Sequence, residues 1–138
     1  APGLERLGDF LNKRADPFND YEPVDSSAAA IAAQGLLRFG NYLEKHGENE
    51  SGIRYRQAGL TVLNTILDEP YLSMDPKHQG LLLHSIYHRP NGWDYIAPGN
   101  KIPNGESGMW GDYHIREAGL YLQRLMNNET YLSFFNIQ

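Results

Sequence analysis

Residues 25–33 constrain the fold of this chain more than any other stretch. Asp25, Ser26 and Ser27 supply capping side chains and a carboxylate, and residues 28–33 then read Ala-Ala-Ala-Ile-Ala-Ala. The stretch predicts a helix that runs from this cap to about Lys45. Its predicted apolar stripe consists of Leu36, Phe39 and Leu43. Because small residues occupy its other faces, we expect neighbours on more than one side, as for an inner helix.

Three further segments repeat apolar residues at helical spacing. The apolar positions are Leu4, Leu7, Phe10 and Leu11 in one segment, Ile53, Leu60, Leu63 and Leu67 in another, and Ile115, Ala118, Leu122 and Leu125 in the last. The segment after Asn49 carries polar residues on its other faces, which is typical of an outer helix, and the last helix is predicted to begin near Met109. No run requires a strand, so the sequence predicts an all-α fold of helical hairpins.

The connections between these helices differ in character. Residues 18–24 and 70–80 are rich in turn formers, and residues 81–88 are predicted to be a buried extended or single-turn segment. Residues 89–108 form a long loop rich in proline, glycine and asparagine, which favours a binding role. In a toroid of hairpins, the inner helices run parallel, so their N-termini lie at the same end of the ring. The helix starts at residues 25–27 and 109–114 would then lie at one mouth of the ring, together with the loop of residues 89–108.

Composition excludes several classes of function. With a net charge of −5 and a pI near 5.4, the chain lacks the basic field expected of a nucleic-acid binder, so no nucleic-acid partner is predicted. No apolar run approaches the roughly 20 residues that span a bilayer, so no membrane partner is predicted. The absence of cysteine suits a reducing compartment, which favours the cytoplasm and leaves the periplasm open.

Polar and aromatic side chains concentrate in residues 25–27, 84–94 and 106–114. Tyr87, Trp93, Tyr95 and Trp110 offer flat apolar faces with polar edges, which suit stacking on sugar rings. Residues 104–108 run into a predicted helix start, where free amides favour an anion such as a carboxylate or sulfate. Residues 25–27 have two interpretations. A helix cap is enough to explain them, and direct contact with a ligand is the alternative.

Other readings of the polar residues are weaker. His84 and His88 lie four apart and could bind a metal with Asp94 or His114, but Pro90 interrupts the segment, so no metal and no cofactor are predicted. Asp112 and Glu117 are five apart and do not share a helix face, so neither is assigned as catalytic. The residues alone therefore indicate a helical array that binds carbohydrate.

Three strings carry a resemblance to a known family. They are Pro23-Val-Asp-Ser-Ser-Ala-Ala-Ala-Ile-Ala-Ala-Gln-Gly-Leu-Leu37, His78-Gln-Gly-Leu-Leu-Leu-His-Ser-Ile-Tyr-His88 and Trp110-Gly-Asp-Tyr113. In this order and spacing they resemble the C-terminal region of glycoside hydrolase family 88, the unsaturated glucuronyl hydrolases, over residues 4–125. Residues 18–24 depart from the family because they are shorter and lack its Trp-containing approach to Asp25.

The resemblance implies that residues 1–138 are the C-terminal part of one (α/α)6-barrel catalytic domain. It also implies a reaction in which an aspartic acid protonates the double bond of a 4,5-unsaturated uronic acid and water adds to carbon 5. The catalytic aspartates of the family lie upstream of the Asp-Ser-Ser-Ala string, so no catalytic residue is assigned here. The predicted substrate-binding residues are Asp25, Ser26, Tyr87, His88, Ser107 and Trp110.

The expected ligand is an unsaturated uronic-acid oligosaccharide. A family 105 unsaturated rhamnogalacturonyl hydrolase and a non-catalytic carbohydrate-binding fragment remain alternatives, although the uninterrupted Asp-Ser-Ser-Ala-Ala-Ala-Ile string favours family 88. The chain enters a helical pattern at once and without an initiator methionine, which predicts a cut chain. We therefore expect the missing half, or self-association, to cover apolar faces left open.

Overall fold

The computed structural model describes Asn12 and residues 16–130, and within these residues the fold is all-α. Its elements are α1 (Ser26–Lys45), α2 (Asn49–Ile66), a 3-10 turn (Arg89–Asn91) and α3 (Met109–Met126). The described residues form no strand and only two isolated bridges, Leu72 with Leu82 and Ser85 with Glu106. These three helices confirm the predictions from periodicity. The helix predicted over residues 4–11, and residues 131–138 of the tail, lie outside the described residues.

Helix α1 begins as its sequence predicts. The carboxylate of Asp25 accepts hydrogen bonds from the backbone N–H groups of Ser27 at 3.0 Å and Ala28 at 3.3 Å, so two of the unpaired amides at the helix start are satisfied. At the other end, Lys45 places a cation at the negative pole of the helix dipole. Gly47, with φ of 85°, then turns the chain into α2.

Helix α1 lies between the other two helices. It packs against both α2 and α3, while α2 and α3 do not contact each other in the described part of the chain. The short turn at residues 46–48 makes α2 antiparallel to α1. Helix α3 runs parallel to α1, since Ser27 lies beside Gly111 and Gln34 bonds His114 farther along both helices. The sequence prediction of an inner α1 and an outer α2 is consistent with this arrangement.

Glycines allow α1 and α2 to approach closely. A Cβ added to Gly40 would lie 2.7 Å from two backbone atoms of α2, the Arg56 nitrogen and the Gly52 oxygen. A Cβ on Gly52 would lie 2.5 Å from Cγ of Glu44, and one on Gly59 would lie 2.9 Å from Cγ of Leu37. Cβ atoms essentially never come this near, so the interface requires glycine at these positions.

This close approach corrects the apolar faces predicted from periodicity. Ile53 and Leu60 of α2, and Leu67 directly after it, are 40%, 38% and 45% exposed. Leu63 is buried as predicted, and the rest of the buried face of α2 consists of Gly52, Gly59 and Ile66. Phe39 of α1 is likewise exposed and packs edge-on against Tyr55. The spacing of the leucines does not show where the two helices touch. The contact follows the glycines, which a search for apolar side chains does not detect.

The core lies where α1 meets α2, the extended segment of residues 81–86 and the inner face of α3. Ala30, Ala33, Leu82 and Ala118 are fully buried there. The prediction of a buried segment at residues 81–88 is confirmed for Leu82, His84 and Ser85, while Tyr87 and His88 are exposed. Among the described residues, no helix is long and apolar enough to cross a membrane.

The glycine interface yields a stability prediction. Gly52→Ala should lower the free energy of unfolding by about 1 to 3 kcal/mol, because the new methyl group overpacks the helix contact. Gly35 is the matched control, since it lies within α1 and a Cβ there would meet nothing within 4 Å. Gly35→Ala should raise stability by about 0.5 to 1 kcal/mol through helix propensity. Urea unfolding followed by far-ultraviolet circular dichroism measures both, and equal effects would contradict the close contact.

Candidate functional site

The extended segment is fixed first to the start of α1. Ser26 donates its backbone N–H to the His84 carbonyl at 3.0 Å and its hydroxyl to the Leu83 carbonyl at 2.6 Å. The Asp25 carboxylate also accepts the backbone N–H of Ile86 at 3.2 Å. The cap of α1 therefore serves two purposes, since the same side chains hold the segment that leads into the long loop.

The same segment is fixed on its other side to the start of α3. The Asp112 carboxylate accepts the backbone N–H groups of Leu81 at 3.0 Å and Leu82 at 2.9 Å. At the preceding residue, a Cβ on Gly111 would lie 2.6 Å from Oγ of Ser85 and 3.2 Å from Cβ of Ser27. Two helix starts thus clamp one extended segment between them, which gives Asp112 an anchoring role.

The long loop returns to the segment through a short ladder. His84 donates its backbone N–H to the Gly105 carbonyl, and Ser85 donates to the Glu106 carbonyl, both at 3.0 Å. The His84 ring donates from Nδ1 to the Asn104 carbonyl and lies edge-on to Phe18 and Tyr71. Burial lowers the pKa of His84 below its ordinary value of 6.5, and the bond to Asn104 acts in the opposite direction. A neutral ring therefore supports the wall formed by residues 104–106.

An aromatic cluster stands above this ladder. The Tyr87 ring stacks on Trp110, with centroids 5.1 Å apart and planes 20° apart, and it lies 5.7 Å from Trp93. The Asp94 carboxylate accepts the backbone N–H groups of Tyr87 and His88, the latter at 2.9 Å. Asp94 thereby closes the turn that presents Tyr87 and Trp93 on one side.

The cluster borders a cleft of about 270 Å³ between the two arms of the loop. Its lining residues are Ser85, Tyr87, Trp93, Asp94, Tyr95, Pro103, Gly105, Glu106, Ser107, Gly108 and Trp110. The chain has two tryptophans, and both line this cleft. Aromatic faces beside hydroxyl and carboxylate groups are suited to a sugar, whose ring has an apolar face and polar edges.

The structure separates the six predicted substrate-binding residues into two groups. Tyr87, Ser107 and Trp110 line the cleft, and the Ser107 hydroxyl is buried without a hydrogen-bond partner among the described residues. Asp25, Ser26 and His88 do not line it.

Each residue outside the cleft has another role. Ser26 is fully buried and its hydroxyl is bonded to a backbone carbonyl. Asp25 caps α1 and holds Ile86, as the alternative reading of residues 25–27 expects. The His88 ring lies 4.9 Å from Trp93, and its Nδ1 accepts the backbone N–H of Asn91 at 3.3 Å.

Two acidic residues that line the cleft, Asp94 and Glu106, were not among the predicted substrate-binding residues. Asp94 follows a Pro-Asn-Gly turn, a context in which aspartate commonly bonds nearby backbone amides, so its anchoring role was accessible from sequence. Glu106 reaches the cleft through the Ser85 bridge, which no local pattern indicates.

The structure tests the possible metal site at His84 and His88. His84 and His88 do not lie on a helix, so their spacing of four does not bring their rings to one point. Within residues 16–130, no group of three or more His, Asp or Glu side chains is arranged to hold a metal ion.

Asp94 provides a test of the cluster. Asp94→Ala should remove the stacking of Tyr87 on Trp110 and lower the free energy of unfolding by about 1 to 2 kcal/mol, because two amides lose a charged acceptor. Asp75→Ala is the control, since Asp75 accepts one backbone N–H in an exposed turn and does not line the cleft. Near-ultraviolet circular dichroism of the tryptophans should change in the first variant. An unchanged spectrum would contradict the anchoring role.

Comparison with known proteins gives one finding about ancestry. The chain is similar to the unsaturated glucuronyl hydrolase of Bacillus sp. (strain GL1), with 31% identity over 100 residues. No protein-family model and no solved structure matches it. The aligned part covers 72% of this chain and 24% of that protein, so the chain spans about a quarter of the relative's length. This chain is a distant relative of an unsaturated glucuronyl hydrolase, a glycosidase.

Proposed function

We propose that this chain is the sugar-binding part of a glycoside hydrolase that acts on unsaturated uronic-acid oligosaccharides. The aromatic cleft carries this proposal, because Tyr87, Trp93 and Trp110 form a platform where a sugar ring can stack. The distant relative supplies the reaction class. Family 88 is the finer assignment that we favour, on the Asp-Ser-Ser-Ala-Ala-Ala-Ile string at residues 25–31.

In the proposed reaction, a carboxylic acid protonates the carbon–carbon double bond of the unsaturated uronate, and water adds to carbon 5. The resulting ring opens and releases the next sugar. The residues of this chain bind and orient the sugar, and the acid comes from residues outside this chain. Within the cleft, Asp94 is occupied by two backbone amides, and Glu106 is exposed to solvent, so neither is assigned as the acid.

The helix arrangement supports a larger toroid. Parallel α1 and α3 with antiparallel α2 match the order of inner and outer rods in an (α/α)6 barrel. The face of α3 turned away from α1 exposes Met109, Tyr113 and Leu120, which are 81%, 57% and 40% exposed. An apolar face of this kind favours burial against further helices of the complete protein.

A non-catalytic role is the second candidate. In the described residues the cleft has a sugar platform but no carboxylic acid assigned to catalysis, which fits a binding fragment as well as one part of an enzyme. Absorbance of the unsaturated uronate separates the two. With the full-length protein, the absorbance should fall with time if that protein is an enzyme, and it should stay constant if its role is only to bind the sugar.

Binding is tested with this chain itself. An unsaturated uronyl disaccharide should change the tryptophan fluorescence, which reports on the cleft because both tryptophans line it. Trp110→Ala should weaken the affinity about tenfold, since a stacking face is lost. Tyr113→Ala is the control, because Tyr113 is an exposed aromatic on the same helix that does not line the cleft. Unchanged fluorescence at millimolar ligand, or equal affinity in both variants, would refute the sugar-binding role.

A further inference from the structure

The tripeptide Pro-Asn-Gly occurs twice in the chain, at residues 90–92 and 103–105, and both copies lie in the long loop. Asparagine before glycine is chemically labile, because the glycine nitrogen can attack the side-chain amide carbon and no side chain on glycine hinders its approach. The two copies are identical up to the residue that follows, which is Trp93 in one and Glu106 in the other. A large difference in their reactivity in the folded chain therefore has to come from the structure.

Hydrogen bonds hold both the side chain and the backbone of the second copy. The side-chain Nδ2 of Asn104 donates to the Pro17 carbonyl at 3.4 Å, and Oδ1 accepts from the side chain of Asn100. The His84 ring donates to the Asn104 carbonyl, and the His84 N–H donates to the Gly105 carbonyl. A Cβ on Gly105 would lie 2.5 Å from the His84 Cα, so this glycine is packed against fixed backbone. The Asn104 side chain cannot turn toward the Gly105 nitrogen unless this wall of the cleft opens.

The first copy lies on the surface, in the single 3-10 turn. Asn91 and Gly92 are both exposed, and the Asn91 side chain has no hydrogen-bond partner among the described residues. A Cβ on Gly92 would meet nothing within 4 Å, so the space around this glycine is open. The Gly92 N–H donates to the Arg89 carbonyl at 3.0 Å, and only this bond of an exposed turn has to open before the nitrogen can react.

We propose that Asn91 is a site of spontaneous deamidation and that the fold protects Asn104. The Gly92 nitrogen bonds to the side-chain Cγ of Asn91, and its proton leaves with the side-chain nitrogen as ammonia, which forms a cyclic succinimide. Solvent water then opens the ring, at Cγ to give aspartate or at the main-chain carbonyl carbon to give isoaspartate. One water is consumed and one ammonia is released, and nothing is oxidised or reduced. The reaction involves no sugar, so it does not depend on the proposed function.

Isoaspartate at position 91 would disturb the aromatic cleft. It carries the backbone through its side chain and lengthens it by one methylene carbon, so the hydrogen bond that closes the turn is lost. Trp93 and Asp94 follow directly, and the Asp94 carboxylate holds the backbone of Tyr87. The contact between Tyr87 and Trp93 should therefore loosen as isoaspartate accumulates. Aspartate, which adds a charge but no backbone atom, should leave the contact in place.

Peptide mapping by mass spectrometry measures both sites in one sample. The complete 138-residue chain is kept in mildly alkaline buffer at physiological temperature, and the conversion of each amide to an acid is followed with time. Asn91 should convert about tenfold faster than Asn104, because only the latter requires several bonds to open together. In urea, where the chain is unfolded, the two sites should convert at similar rates. Equal rates in the folded chain, or no conversion of Asn91 while the unfolded chain converts, would overturn the proposal.

Two variants separate protection from reactivity. Asn100→Ala removes one bond to the Asn104 side chain, so it should speed conversion at Asn104 and leave the rate at Asn91 unchanged. An unchanged rate at Asn104 would contradict protection by that bond.

Asn91→Gln is the matched control for the cleft, because its longer side chain must close a larger ring and reacts much more slowly. During incubation, the near-ultraviolet circular dichroism of the tryptophans should change in the native chain and stay constant in Asn91→Gln. Freshly prepared Asn91→Asp should have the spectrum of the unaged native chain. A native spectrum that stays constant while isoaspartate forms would overturn the effect on the cleft.

Discussion

The extended segment of residues 81–86, clamped between two helix starts, determines the rest of the structure. Asp112 accepts its first two amides from the α3 side, and Ser26 bonds the His84 and Leu83 carbonyls from the α1 side. Buried backbone N–H and C=O groups need hydrogen-bond partners. This clamp supplies partners for an irregular segment whose burial would otherwise cost free energy. It also sets the distance between α1 and α3, and the aromatic cleft depends on that spacing.

The walls of the aromatic cleft are attached to the same extended segment. Residues 104–106 bond to His84 and Ser85, which places the second wall, while Asp94 folds the loop so that Tyr87 meets Trp110. Loops commonly carry binding groups on a rigid scaffold, and here a fixed segment beneath the loop provides that rigidity. The described residues form an aromatic cleft, and the proposed reaction would need a carboxylic acid that is not assigned among them.

Sequence reasoning predicted the helices well because their signals are local. The Asp25 cap, the alanine run and the start near Met109 each depend on neighbouring residues. It placed Leu63 correctly but misplaced the rest of the buried face of α2, because Gly52 and Gly59 define the contact through the absence of a side chain. Of the residues predicted to bind substrate, Tyr87, Ser107 and Trp110 line the cleft, whereas Ser26 is buried and bonds a partner 57 residues away. Long-range bonds of this kind leave no local pattern.

The clamp is tested most directly by the proximity of Ser27 and Gly111 in solution. Nuclear Overhauser effects between the Ser27 β-protons and the Gly111 α-protons should be observed, because a Cβ on Gly111 would lie 3.2 Å from the Ser27 Cβ. Effects within α1 and within α3, without any between these two residues, would show that the helices form but do not start side by side. That result would contradict the arrangement on which the cleft depends.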